Sequence, residues 1–176
     1  MIRQTVIAYW LIPSESAHSF FQAIINDLAR RYDAPVFEPH VTIYVGADRA
    51  DGAKAALGNA ARLFKLTTLT PLGIDQSNEF IKTLFVRFAM SAKLRRINDF
   101  IRDTAKDSSP YKLKPHLSLL YKKLAAASRR QLAASISVPL SEVAFDTIKA
   151  VRCVSPTQSR ADVESWQTLV TNNLLA

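Results

Sequence analysis

A histidine and a hydroxyl side chain recur two residues apart in two apolar segments, Pro39-His40-Val41-Thr42-Ile43 and Pro115-His116-Leu117-Ser118-Leu119. On a β-strand, residues i and i+2 share a face, so each segment presents one imidazole beside one hydroxyl. One such pair carries little information, because serine and threonine are common residues. The repetition carries more. The histidines stand 76 positions apart (116 − 40), and the same offset lays Phe21 on Ile97, Ile25 on Ile101, Asp27 on Asp103, Ala29 on Ala105 and Pro39 on Pro115 without a gap. The chain therefore reads as a duplicated strand, helix, strand unit, each copy delivering one imidazole and one hydroxyl. His18 has neither feature, since Phe20 follows at i+2 and Leu94 is its offset partner, and it is assigned to the surface or a helix cap.

Two imidazoles with two hydroxyls suit the cleavage of a phosphodiester. A base must take a proton from the attacking oxygen while an acid protonates the leaving oxygen from the opposite side. Histidine, with an ordinary pKa of about 6.5, can do both near neutral pH if one ring is neutral and the other charged. His40 and His116 are the expected acid and base, and Thr42 and Ser118 can donate hydrogen bonds to the non-bridging oxygens, where charge gathers in the transition state. This scheme uses no metal and no cofactor. Three histidines and one cysteine show no ligand spacing, and the four glycines form neither a phosphate-cradling loop nor a nucleophile elbow.

The elements that must position these groups follow from apolar periodicity. Residues 5–12 form a β-branched and aromatic run stopped by Pro13, which predicts a strand. Phe20, Phe21, Ile24, Ile25 and Leu28 recur at helical spacing up to Arg31, behind a cap at Ser14 or Ser16. A loop through Asp33 and Pro35 leads into the first histidine strand at 40–45, and an alanine-rich helix is expected from Asp48 to about Arg62. A strand at 64–72 and a turn region near residues 73–79 close the first copy. The second copy repeats the order: a strand at 80–88, a helix capped by Ser91, and the histidine strand at 116–121. Ser128 and Gln131 have capping-box spacing for a short helix; strands are expected at 148–154 and 166–174, with a polar connection at 156–162. The expected architecture is α+β, one domain over residues 1–176 made of two similar lobes, with antiparallel sheets inside and helices outside.

Composition narrows the setting. At 176 residues the chain can bury roughly 70% of its unfolded surface and needs no metal or disulfide to hold a core. Its single cysteine, Cys153, lies in an apolar context and is expected to be a buried, inert thiol, which fits a cytoplasmic protein. No apolar run approaches a membrane span, and no signal peptide is recognisable, so no membrane partner is expected. The net charge of +8 and pI near 9.8 favour anionic partners, a small nucleotide first and RNA ends second. Paired basic residues such as Arg95-Arg96 and Arg129-Arg130 are scattered rather than gathered in a stripe, and a monomer is expected.

The motifs His40-Val41-Thr42 and His116-Leu117-Ser118 resemble the two His-x-Thr/Ser signatures of the 2H phosphoesterase superfamily. Tyr9-Trp10-Leu11-Ile12-Pro13, Phe37-Glu38-Pro39-His40-Val41-Thr42, the run from Pro115 to Tyr121, and Glu164-Ser165-Trp166 are similar to its cyclic phosphodiesterase branch, over nearly the whole chain. The resemblance implies a bilobal, pseudo-two-fold fold with two antiparallel sheets lining a central cleft. It also implies hydrolysis of nucleoside 2′,3′-cyclic phosphates or ADP-ribose 1″,2″-cyclic phosphate to a phosphomonoester, with His116 as base and His40 as acid. Lys122 stands where a small residue often follows the tyrosine of that branch, and the disulfide-forming cysteines of plant members are absent.

Three aromatic residues are candidates for contact with a base. Trp10 and Phe80 are expected to face the same side of their sheets, because the offset lays Phe80 on Gln4, a residue of the same strand parity as Trp10. Tyr121 is placed at the cleft by the resemblance, whereas strict alternation from His116 turns it away; a bend near Leu120 reconciles the two. The competing readings are an RNA 2′,3′-cyclic phosphodiesterase or RNA ligase-like enzyme acting on RNA ends, and a non-catalytic nucleotide- or RNA-binding module. A peripheral membrane protein lacks the basic amphipathic helix it would need.

Overall fold

The computed structural model describes residues 2–176. In chain order the elements are β1 (Gln4–Pro13), α1 (Ala17–Tyr32), β2 (Val41–Ala47), α2 (Ala50–Leu63), β3 (Thr67–Leu69), β4 (Pro71–Gln76), a 3-10 turn (Phe80–Lys82), β5 (Leu84–Phe88), α3 (Ala92–Ala105), β6 (His116–Leu120), α4 (Ala126–Ser135), β7 (Val143–Ser155), α5 (Arg160–Glu164) and β8 (Gln167–Asn173). The strands form one antiparallel sheet in the order β3-β7-β1-β2-β6-β5-β4, with β8 also pairing β7. The α+β architecture expected from the sequence is therefore present. Among the described residues no helix is long and apolar enough to cross a membrane.

The two expected sheets are the two halves of this single sheet. β2 and β6 meet in one registered pair, Val41 with Leu117, two residues that are themselves 76 positions apart. The pseudo-two-fold axis thus passes through this pair, with β7-β1-β2 on one side and β4-β5-β6 on the other. Behind each histidine strand lies the other copy's helix: α1 packs on β6, and α3 packs on β2. The buried stripes Phe21, Ile25, Leu28 of α1 and Leu94, Ile97, Ile101 of α3 supply that contact. β1 is buried on both faces. Ile7, Tyr9 and Leu11 join the helix-covered core, while Val6, Ala8, Trp10 and Ile12 form a smaller apolar cluster with Val151 and Cys153 on the opposite face.

Each histidine strand carries a β-bulge at the same place. Tyr9 pairs with Tyr44 and Trp10 with Thr42, which leaves Ile43 as an extra residue on β2; Leu84 pairs with Leu120 and Phe85 with Ser118, which leaves Leu119 extra on β6. A bulge adds one residue and reverses the alternation beyond it. Val45 and Tyr121 are turned to the face that carries the histidines, while Tyr44 and Leu120 enter the core. The bend expected near Leu120 is this bulge, one residue earlier. On β2 the bulged carbonyl of Ile43 accepts a hydrogen bond from Asn98 Nδ2 of α3 at 2.6 Å.

Several local expectations are corrected. The strand expected at 80–88 begins at Leu84, because residues 80–82 form a 3-10 turn held by the buried Thr83 hydroxyl, which reaches the carbonyls of Glu79, Phe80 and Lys122. The strand expected at 64–72 divides into β3 and β4, and residues 73–76 of the expected turn region continue β4 as strand, with the backbone bend taken by Gly73 at φ +129. The capping box expected at Ser128 is absent: α4 starts earlier, behind Ala125, and has no side-chain cap. A complete capping box instead joins Ser159 and Asp162 at α5, inside the segment expected to be a polar connection.

Leu117 is fully buried at the one registered pair between the two halves among the described residues. Leu117→Ala is expected to cost about 2–5 kcal/mol of stability, the range for emptying a buried leucine site, read as a lowered urea midpoint.

Candidate active site

The face opposite the helices forms a cleft of about 270 Å³. His40 and Thr42 enter it from the β2 side, and His116 and Ser118 enter it from β6. The four side chains singled out by spacing are thus brought together across the pseudo-two-fold axis. Trp10 and Tyr121 line the same cleft; Phe80 does not. Phe80 lies in the 3-10 turn with its ring 6.2 Å from that of Tyr121, behind the lining. The residue that corresponds to Trp10 is Phe85, since Trp10 stands across from Thr42 and Phe85 across from Ser118.

The same local bond orients both imidazoles. His40 Nδ1 donates to the carbonyl of Glu38 at 2.6 Å, and His116 Nδ1 donates to the carbonyl of Lys114 at 2.7 Å. A proton fixed on Nδ1 leaves Nε2 free for proton transfer in the neutral ring. Glu38 is itself held by Lys149 at 2.6 Å and lies 3.4 Å from His18, so the third histidine serves the support of the first rather than the cleft. An aromatic ring flanks each imidazole: Trp10 stacks on His40 with centroids 3.7 Å apart, and Phe85 meets His116 edge-on at 5.5 Å.

The surroundings of the two rings differ. His40 is 7% exposed and is also flanked by Phe37 and Trp166, and burial drives its pKa down to about 4. A charge on His116 would push it lower, which shows that the two rings feel each other. His116 is only half-buried; burial lowers it too, opposed by its bond to the Lys114 carbonyl. Burial thus favours the neutral form of both imidazoles in the free protein, most strongly at His40. The Ser118 hydroxyl donates to the carbonyl of Ile81 at 2.8 Å, while the backbone carbonyl of Thr42 accepts from the Tyr111 phenol at 3.0 Å.

Comparison with known proteins decides the family. Residues 5–174 match the family described as cyclic phosphodiesterase-like protein. The chain belongs to that family. A cyclic phosphodiesterase of Arabidopsis thaliana is 24% identical over 177 residues, covering 98% of this chain and 97% of its own length. The fold is shared with Escherichia coli LigT, solved in complex with 3′-AMP, at a TM-score of 0.61 and 16% identity, over 97% of this chain and 98% of that one. TT0787 of Thermus thermophilus gives a TM-score of 0.61 at 15% identity, over 96% of this chain and 97% of that one. Membership in the cyclic phosphodiesterase-like family makes the chain a phosphodiester hydrolase of the 2H type.

Other cleft residues were not singled out as site candidates from the sequence, Tyr111, Trp166 and Ile81 among them. Tyr111 arrives from the loop before β6, Trp166 from the end of α5, and Ile81 from the 3-10 turn. Trp166 meets Trp10 edge-on at 5.3 Å, and its buried indole N–H has no acceptor among the described residues. Its only sequence signal was its place in the resemblance. Cys153 lies on the cleft side, 8% exposed, its thiol pushed up to about 12 by burial, which is the inert state expected of it. Among the described residues no group of three or more His, Cys, Asp and Glu side chains is gathered to hold a metal ion.

A buried imidazole held below its ordinary value resists protonation in the folded chain but accepts it in the unfolded one. Its contribution is complete above about pH 6.5 and is lost as pH falls toward about 4. Stability is expected to fall by about 2 kcal/mol between about pH 7 and about pH 5 from His40, with His116 adding in the same direction. His40→Asn, which keeps a donor for the Glu38 carbonyl, should flatten that slope in urea titrations.

Proposed function

We propose that the chain hydrolyses a cyclic phosphodiester, a nucleoside 2′,3′-cyclic phosphate or ADP-ribose 1″,2″-cyclic phosphate, to a phosphomonoester, with His40 and His116 as its acid and base. The observation that carries this reading is the pseudo-two-fold placement of two imidazoles in one cleft, each with Nδ1 tied to the carbonyl two residues earlier. A phosphate between them meets Nε2 from both sides, the arrangement that in-line displacement needs. Following the family resemblance, His116 draws a proton from water as the water attacks phosphorus, and His40 gives a proton to the departing ribose oxygen. Water adds one oxygen to phosphorus, the ring P–O bond breaks, and the proton taken by one histidine balances the proton given by the other.

Burial sets a condition on this cycle. His40 is neutral in the free protein, so its proton must arrive with the anionic substrate, whose charge offsets the cost of a buried imidazolium. Thr42 presents a hydroxyl to the cleft, whereas Ser118 must turn its hydroxyl from the Ile81 carbonyl before it can donate to a phosphate oxygen. Trp10, Trp166 and Tyr121 supply apolar faces on which a base can stack. The substrate can also be an RNA end that carries the cyclic phosphate, a reading kept open by the net charge of +8.

His40→Ala and His116→Ala are each expected to lower turnover of adenosine 2′,3′-cyclic phosphate by about 100-fold or more with the fold retained. Thr42→Ala and Ser118→Ala should cost about 10- to 100-fold, with the smaller loss at Ser118. Normal turnover by either folded histidine variant would overturn the two-histidine mechanism.

Activity should persist in excess chelator. The pH dependence of the rate should be bell-shaped, its limbs belonging to the coupled pair of imidazoles. Binding of the product nucleoside monophosphate at neutral pH should take up a proton from buffer, read by calorimetry in buffers of different ionisation heat. Loss of activity to chelator with recovery on adding a divalent ion would point instead to metal-activated water.

A further inference from the structure

The symmetry that matches the two histidine motifs fails in what surrounds them. Because Trp10 and Phe85 are equivalent, the residues two further along β1 and β5, Ile12 and Arg87, hold equivalent places beside His40 and His116. Ile12 is 4% exposed within the apolar cluster. Arg87 is exposed and pairs directly with His116, which puts the two side chains on one face of the sheet. A second hollow, of about 300 Å³, opens there, lined by Lys82, Arg87, Lys114, Asp75 and Phe85, and His116 lines both this hollow and the cleft. On the next strand Gly73 stands across from Arg87 with no side chain, and a β-carbon built there would meet nothing within 4 Å, so the space beside the guanidinium stays open.

The charges divide in the same way. On the His40 side the cations are matched with carboxylates: Lys149 with Glu38 at 2.6 Å, Arg152 with Asp48 at 3.0 Å and Arg160 with Asp33 at 2.7 Å. On the His116 side, Lys82 and Lys114 form no ion pair among the described residues, and Arg87 has Asp75 at 3.6 Å. Three cations thus line the hollow with one carboxylate. The Lys82 ammonium sits 4.8 Å from the centre of the Phe85 ring, the same ring that flanks His116.

We infer that this hollow is a subsite for a second phosphate of the substrate, separate from the cyclic phosphodiester held between the histidines. The inference rests on the function proposed above. A guanidinium offers paired donors to phosphate oxygens and the two ammonium groups add point charges, while the apolar cleft beside His40 takes the uncharged part of the ligand. A nucleoside 2′,3′-cyclic phosphate has only one phosphate and leaves the hollow unused. The preferred substrate class is a cyclic phosphate that carries a further phosphate group, either the adjoining phosphodiester of an RNA end or the pyrophosphate of a nucleotide sugar.

The test compares kcat/KM for three compounds: adenosine 2′,3′-cyclic phosphate, the dinucleotide ApA ending in a 2′,3′-cyclic phosphate, and ADP-ribose 1″,2″-cyclic phosphate. At least one of the two substrates that carry phosphate beyond the cyclic one should be preferred over the first by about 10-fold or more, mainly through KM, and the preference should shrink as salt is raised. The one preferred identifies the source of the second phosphate. In the Arg87→Ala/Lys114→Ala double variant the preference should fall to about 1, with Arg87→Lys retaining part of it. A wild-type preference near 1, or one that survives the double variant, would overturn the subsite. Failure of folded wild-type protein to turn over any of the three would overturn the parent reading instead.

Discussion

The backbone pairing of β2 with β6 is the constraint on which the rest of the molecule depends. Only Val41 and Leu117 are in register across it, yet this pair lies on the pseudo-two-fold axis and next to both histidines. A longer ladder would merge the halves into an even, continuous surface. A single pair lets them diverge beyond it, and the space between them is the cleft. The crossing of α1 onto β6 and of α3 onto β2 keeps so short a junction from slipping, because each copy's histidine strand is backed by the other copy's helix. Stability and site geometry therefore share one set of contacts.

The bulges at Ile43 and Leu119 solve a problem that regular strands could not. Each histidine strand must send its imidazole and hydroxyl to the cleft and then continue with apolar residues into the core. Strict alternation would have put Tyr44 and Leu120 at the cleft edge only at the cost of burying Val45 and Tyr121 under the helices. One extra residue resets the phase just after the hydroxyl, so Tyr121 reaches the cleft, where its ring stacks on Phe37 with centroids 3.7 Å apart. The two halves repeat this bulge at the same offset, as they repeat the Nδ1 bond to the preceding carbonyl, so the pseudo-symmetry extends to local irregularities.

The two halves carry like groups in unlike surroundings. A wall of Trp10, Phe37 and Trp166 desolvates His40, while the half-buried His116 has the one flanking ring of Phe85 and borders the hollow that holds three cations and Asp75. Symmetric histidines would compete for the same proton. Unequal burial separates their proton affinities, as the proposed acid and base roles require of a pseudo-symmetric pair.

The sequence by itself determined the repeat, the two motifs and most of the elements, because strand alternation, helical stripes and an offset of 76 are properties of neighbouring residues. It therefore located His40, Thr42, His116 and Ser118 and the α+β class. The offset slips at the first strand of each half: 76 lays Trp10 on Val86, whereas Phe85 answers to Trp10 at a spacing of 75 (85 − 10), and the registers that reveal it are cross-strand facts. Tyr111 reaches the cleft from a segment with no periodic signal and Trp166 from the start of an expected strand whose pattern does not aim it there, and the capping box of α5 lies in a stretch too short and polar to announce a helix. Only the tertiary structure decided which cations are matched by carboxylates and which histidine is desolvated. Burial and charge pairing depend on residues brought together from distant parts of the chain, such as Lys149 with Glu38, and no local pattern contains them.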